Sequence, residues 1–268
     1  MKIVFWSPMH GTGATANMLA ITLAIAGRHD SKILMTQTHY SMNNLEGPLV
    51  GELDGRRESE YWRDTGIDAV IRYFKSGMLS REIMNSCAID LTDRLSLLTG
   101  TRQSSKQTYD DDILRRIVSR ILDTAEDYYD FVTIDTNSGY SSTSIDTVRS
   151  ADVVIVTLRQ NIDMINELFE NEEFKKLDPK RIFYLFGSYD AYSKYNLGNI
   201  RRMYRRINSR NSGGLPHCTA YMDALCDNRA LRYISSNLVA EEYGDSEFFR
   251  ALCDVSERIT SLALRLKE

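Results

Sequence analysis

The stretch that decides the fold is "KIVFWSPMHGTGATANMLAITLAIA", residues 2–26. It opens on the apolar run "KIVFW", residues 2–6, passes through a glycine-rich turn, and continues into a second apolar run, "MLAITLAIA". A strand this apolar, without polar alternation, suits a parallel sheet covered on both faces. Gly11 and Gly13 permit backbone angles that other residues resist, and they let N–H groups face an anion. A helix beginning near Ala14 adds the positive end of its dipole. Thr15 stands where a hydroxyl would touch Mg²⁺ in a phosphate loop. Such loops usually carry a lysine, and this one has none. A glycine turn that merely joins a strand to a helix would read much the same.

Further along, "KILMT" (32–36), "LSLLTG" (95–100), "FVTIDT" (131–136), "DVVIVTL" (152–158) and "RIFYLFG" (181–187) read as buried strands. Helical patterns sit between and after them. Residues 110–125 place Ile113, Leu114, Ile117, Val118, Ile121 and Leu122 on one face, and 161–176 and 248–267 behave similarly. Alternating strands and helices predict an α/β fold: a doubly wound, mostly parallel sheet flanked by helices, in one domain over 1–268. Residues 47–62 read as a long surface loop.

The bulk numbers set limits. The 268 residues are 43% hydrophobic and 26% charged, an ordinary globular balance, and the net charge of −4 gives no overall attraction to nucleic acid. Cys87, Cys218, Cys226 and Cys253 form no CxxC pair, which fits a reducing cytoplasm. No signal peptide is expected from the first residues, broken early by Pro8. No run approaches the roughly 20 apolar residues of a membrane helix, so no membrane insertion is expected.

A second motif strengthens the phosphate-loop reading. "YDFVTIDTNSG", residues 129–139, is an apolar strand ending in Asp135 and followed by a turn with Gly139. An acid at a strand end beside the first loop can hold a water on Mg²⁺. The competing reading makes Asp135 a helix cap near Ser141.

Here the chain resembles the MinD/ParA family of deviant P-loop ATPases. The family loop KGGxGK[ST] corresponds to Met9-His10-Gly11-Thr12-Gly13-Ala14-Thr15, and its YDFVxIDTxxG segment to 129–139. "QTHYSMNNL" (37–45), "SADVVIVTLRQNIDMIN" (150–166) and "GLPHCTAYMDALCDN" (214–228) resemble its second strand, a later strand and helix, and a late proline loop often near adenine. The resemblance implies ATP or ADP with Mg²⁺ as ligand. It assigns contacts to Gly11, Thr12, Gly13, Ala14, Thr15, Asp135, Gly139 and Pro216, with Thr15 and Asp135 at the metal.

The departures bear on activity. The signature lysine that crosses a dimer aligns with Met9, and the P-loop lysine with Ala14. The two second-strand acids, one of which positions the attacking water, align with Gln37 and His39. Phosphoryl transfer depends on positioning and electrostatic stabilisation, so these losses should remove most of the rate. His39 could act as a base, but it reads as a tolerated replacement, and no catalytic residue is assigned. A small residue in place of the loop lysine also resembles the TadZ/CpaE branch, which localises the Tad (Flp) pilus machinery. The chain would be a shortened version of that branch, lacking the receiver-like domain.

Other features read as structural. Residues 194–210 hold Lys194, Arg201, Arg202, Arg205, Arg206 and Arg210 and no acid. Helical spacing turns Ile200, Met203 and Ile207 inward and leaves the arginines as a solvated face or a DNA patch. The C-terminal stripe of Phe248, Leu252, Val255, Ile259, Leu262 and Leu266 has a mixed polar face, suited to packing on the sheet or a partner helix. His217-Cys218 lacks a third metal ligand nearby. Three readings follow: a nucleotide-binding scaffold with negligible turnover, a slow ATPase, or a protein-interaction module without nucleotide. Expected partners are proteins, including a pilus or secretion ATPase, and a second copy in a homodimer.

Overall fold

A computed structural model describes residues 1–38, 45–51, 65–101, 112–239 and 246–267. Strand β1 (Lys2–Trp6) leads into α1 (Ala14–Arg28), then β2 (Ile33–Gln37) and the short α2 (Glu46–Val50). Helices α3 (Gly66–Lys75) and α4 (Arg81–Cys87) precede the hairpin of β3 (Ile89–Thr92) and β4 (Leu95–Leu98). Next come α5 (Asp112–Ala125), β5 (Phe131–Asp135), α6 (Ser142–Ser150) and β6 (Val153–Leu158). Helices α7 (Ile162–Glu170) and α8 (Glu172–Lys175) run to β7 (Ile182–Gly187), and α9 (Leu197–Met203) to β8 (Ser212–Leu215). The chain ends with α10 (Thr219–Cys226), α11 (Ala230–Val239) and α12 (Ser246–Lys267).

The eight strands form one sheet in the order β3-β4-β2-β5-β1-β6-β7-β8, all parallel except β3 against β4. Helices cover both faces. Side chains of α1, α2, α10, α11 and α12 fill one core; those of α3 to α9 fill the other. The expected doubly wound α/β fold is therefore present. β1 lies between β5 and β6, and every residue from Lys2 to Trp6 is buried. Its continuous apolar character follows from that position, since helices pack over both of its faces.

Helix α1 is apolar on nearly all sides because it is enclosed on nearly all sides. It packs against the sheet, α11 and α12, and Ala20, Ala24 and Ala26 let these neighbours approach closely. The C-terminal stripe behaves as expected from Phe248 to Leu262, all buried against α1 and β8, while Leu266 is 38% exposed.

Some expectations fail. The basic segment is not one helix: α9 stops at Met203, which is 52% exposed and not inward, whereas Ile200 and Ile207 are buried. The helix at 161–176 divides at Asn171, whose side chain caps α8. Of the expected surface loop at 47–62, residues 47–50 are helical, and 52–62 lie outside the described residues. Strands β3 and β8 were not expected. β8 reads "SGGL", and its glycines are required. A Cβ on Gly213 would stand 2.7 Å from Val255 Cγ2 of α12, and one on Gly214 2.5 Å from the Tyr189 ring.

If α12 is an integral layer, Leu252→Ala should cost about 2–5 kcal/mol in urea unfolding. Leu266→Ala should cost less than about 0.5 kcal/mol. Equal small effects would show that α12 adds little to the core.

Candidate functional site

Residues 7–13 join β1 to α1 at the carboxyl ends of the parallel strands, where ligands bind in sheets of this type. Gly11 and Gly13 are both left-handed, with φ of 79° and 84°. Gly13 is the N-cap of α1, and no side chain caps that helix. Its first N–H groups therefore lack the side-chain oxygen that usually satisfies them. Ala14 is 9% exposed, while Met9, His10 and Gly11 lie on the surface.

The second motif is tied to the first. The Gly139 N–H donates to Ser7 O at 2.8 Å, and the Trp6 indole N–H donates to Gly139 O at 2.8 Å. Gly139 is left-handed as well, with φ 85°. The Thr15 hydroxyl donates to Asp135 Oδ2 at 2.7 Å. Asp135 does not cap a helix: Ser141 caps α6 and accepts from the Ser144 N–H. Burial pushes the Asp135 carboxyl up to about 7 from an ordinary 3.8, and the Thr15 hydrogen bond pulls the other way.

Neighbouring strand ends lie around the loop. Gln37 stands opposite Asp135 in the β2–β5 register; it is 1% exposed, and its Oε1 has no hydrogen-bond partner among the described residues. Thr12, 3% exposed, likewise leaves Oγ1 without a partner among the described residues. Gly187 ends β7 against the loop; a Cβ there would lie 2.7 Å from both Thr12 O and Asn17 Nδ2. Arg159, just past β6, donates from Nη2 to Gly11 O at 3.1 Å. Sequence reading missed Arg159 as a loop neighbour, because only the adjacency of β1 and β6 brings it there.

Among the predicted residues, Gly11, Thr12, Gly13, Ala14, Thr15, Asp135 and Gly139 converge. Pro216 follows β8 at the same edge of the sheet but two strands beyond β6. The helix after it, α10, is joined to α1 by the Tyr221 hydroxyl, which donates to Ala16 O at 2.6 Å. His39 lies outside the described residues. The thiol of Cys218 accepts from the Tyr221 N–H and caps α10, which is a structural role. No group of three or more His, Cys, Asp or Glu side chains converges as a metal site among the described residues.

The basic segment is partly committed to packing. Arg201 donates to Ser212 Oγ and Ser212 O, and the Arg206 guanidinium lies over the Phe169 ring. Arg202 and Arg205 remain exposed. No helix among the described residues is long and apolar enough to cross a membrane.

The eight-stranded, mostly parallel sheet with flanking helices is that of the MinD/ParA P-loop ATPase fold, and solved structures agree in fold. A ParA family ATPase from Chlorobium tepidum TLS superposes with a TM-score of 0.73 at 14% identity, over 96% of this chain and 98% of that one. The septum site-determining protein MinD from Pyrococcus horikoshii OT3, complexed with Mg-ADP, gives 0.67 at 15% identity, over 98% and 99%. pNOB8 ParA bound to nonspecific DNA gives 0.64 at 13% identity, over 98% and 99%. No protein-family profile matches this sequence, and no curated protein does.

The raised Asp135 value has a definite sign. From pH 3.8 to about 7 the folded chain holds this proton and the unfolded chain does not. Stability should therefore fall as pH rises through that window and level off above it. In buffer with EDTA, Asp135→Asn should be more stable than the native chain at pH 8, by roughly 1–4 kcal/mol. The difference should vanish near pH 4. Identical stabilities at pH 8 would show that ionised Asp135 carries no burial cost.

Proposed function

We propose that this chain is a nucleotide-binding protein of the MinD/ParA kind whose output is position and partnership, with negligible turnover. The observation that carries this is the hydrogen bond from Thr15 to buried Asp135, beside a helix N-terminus that no side chain caps. A carboxyl buried at such cost is well placed to meet a cation. The residues fit Mg²⁺, a hard ion that takes oxygen ligands. Thr15 would hold it directly and Asp135 through water, and the ion would neutralise phosphate charge. Residues 11–15 would hold the phosphates through backbone N–H groups, Gly139 would fix the neighbouring turn, and Pro216 would border the base.

Binding and turnover separate in this reading. Backbone N–H groups and a helix dipole can retain a phosphate. Acceleration also needs charges that stabilise the transition state, and Met9, Ala14 and Gln37 supply none. Residues 1–268 would act as one domain in the cytoplasm. The partners we favour are proteins of a pilus or secretion machine, as the TadZ/CpaE resemblance implies, with a second copy of the chain as the other candidate. A dimer here would rest on surface contacts, since no lysine at position 9 reaches across.

Calorimetric titration with Mg-ATP beside a phosphate-release assay tests the proposal. Heat of binding without release is the expected result. Release abolished by Asp135→Ala would establish the slow ATPase, and no heat at millimolar nucleotide would leave an interaction module. Ala14→Lys should tighten Mg-ATP binding by about tenfold or more, as one charge-assisted contact would. An unchanged affinity would mean that the loop does not hold phosphate. Should Arg202 and Arg205 contact DNA, affinity would drop steeply with added salt, whereas a flat response removes DNA as a partner.

A further inference from the structure

We propose that Arg159 is the cation of this phosphate loop, standing in from the end of β6 for the lysine that position 14 lacks. This rests on the nucleotide reading above and assigns the phosphate contact within it. The ligand chemistry is the phosphate chain of a nucleoside triphosphate.

The argument starts from strand order. β1 carries the loop, with β5 on one side and β6 on the other. The acid reaches the loop from the β5 side, through Asp135 and its bond to Thr15. The base reaches it from the β6 side, through Arg159 and its bond to Gly11 O. A phosphate chain over the start of α1 would thus lie between a metal-binding acid and a guanidinium. Loop lysines ordinarily bring their charge from within the loop. Here Ala14 brings no charge.

Arg159 has capacity to spare. A guanidinium carries five N–H donors in a fixed fork. One is engaged by Gly11 O, and another faces Gly187 O at a long 3.5 Å. No carboxylate pairs with Arg159 among the described residues. Bracing a carbonyl needs only a neutral amide donor, so the full charge is surplus to that task. Paired N–H groups match phosphate oxygens, which favours arginine over lysine for reaching in from a neighbouring strand. The buried Thr12 Oγ1 in the same loop, without a partner among the described residues, is an independent sign that a polar ligand belongs there.

The test uses the full chain and Mg-ATP as the probe, read by calorimetry. Arg159→Gln keeps a donor for Gly11 O and removes the charge. It should weaken Mg-ATP binding by about 10- to 100-fold, the range for a charge-assisted hydrogen bond. Adding Ala14→Lys to Arg159→Gln should recover at least about tenfold, because the cation returns from another direction. Arg159→Lys should fall between the native chain and Arg159→Gln. Native affinity in Arg159→Gln overturns the proposal. So does a loss that Ala14→Lys cannot recover while Ala14→Lys alone tightens binding; Arg159 would then be a brace. If the native chain binds no Mg-ATP, the nucleotide reading itself fails and this assignment falls with it.

Discussion

The hydrogen bond from the Thr15 hydroxyl to the buried Asp135 carboxyl is the constraint on which the rest depends. It ties the first turn of α1 to the end of β5, across the loop that leaves β1. The Gly139–Ser7 and Trp6–Gly139 bonds close the same junction from below. With α1 fixed at that end, its alanine-rich body is held against the sheet, and α11 and α12 pack over it. This polar contact joins the central strands to a helical layer that apolar packing holds in place. The contact is also costly, because burial opposes ionisation of Asp135. A structural tie alone could be made from two neutral groups at lower cost. An acid in that place is easier to understand where a cation is expected.

Much of this was legible in the sequence, for physical reasons. Strands buried on both faces are mostly apolar, so β1, β5, β6 and β7 stand out as near-continuous apolar runs. An acid at the end of such a run marks the point where the strand leaves the core, which is why Asp135 could be singled out. Other features leave no local trace. β8 has two glycines because α12 and Tyr189 press against it, and a composition imposed by distant neighbours resembles a turn. Met203 fits a helical period on paper, but α9 ends at that residue, and the period has no meaning past a helix end. Arg159 is the clearest case. Nothing near it in sequence relates it to Gly11, and only the pairing of β1 with β6 does.

The same contrast governs the charges. Reading outward from the loop, the absence of lysine at positions 9 and 14 looks like loss of all positive charge. Strand order changes that picture, because neighbouring strand ends contribute side chains to the same volume whatever their distance along the chain. Gly187 illustrates the tolerance involved. It sits so close to Thr12 and Asn17 that no side chain fits, and this closeness lets the ends of β6 and β7 crowd the loop.

A loop stripped of its lysines would be expected to drift if holding phosphate were its only purpose. This one keeps two left-handed glycines, a geometry that glycine adopts at low cost, and a helix start without a side-chain cap, which is unfavourable on local grounds alone. The helix start could have been satisfied by serine or aspartate at position 13, at a gain of about 1 kcal/mol. A left-handed backbone at 13 is open to glycine at low cost and to those residues only under strain. The left-handed geometry at 13 and the missing cap therefore go together. Such an arrangement suits an anion at the helix start, where backbone N–H groups and the helix dipole can meet it.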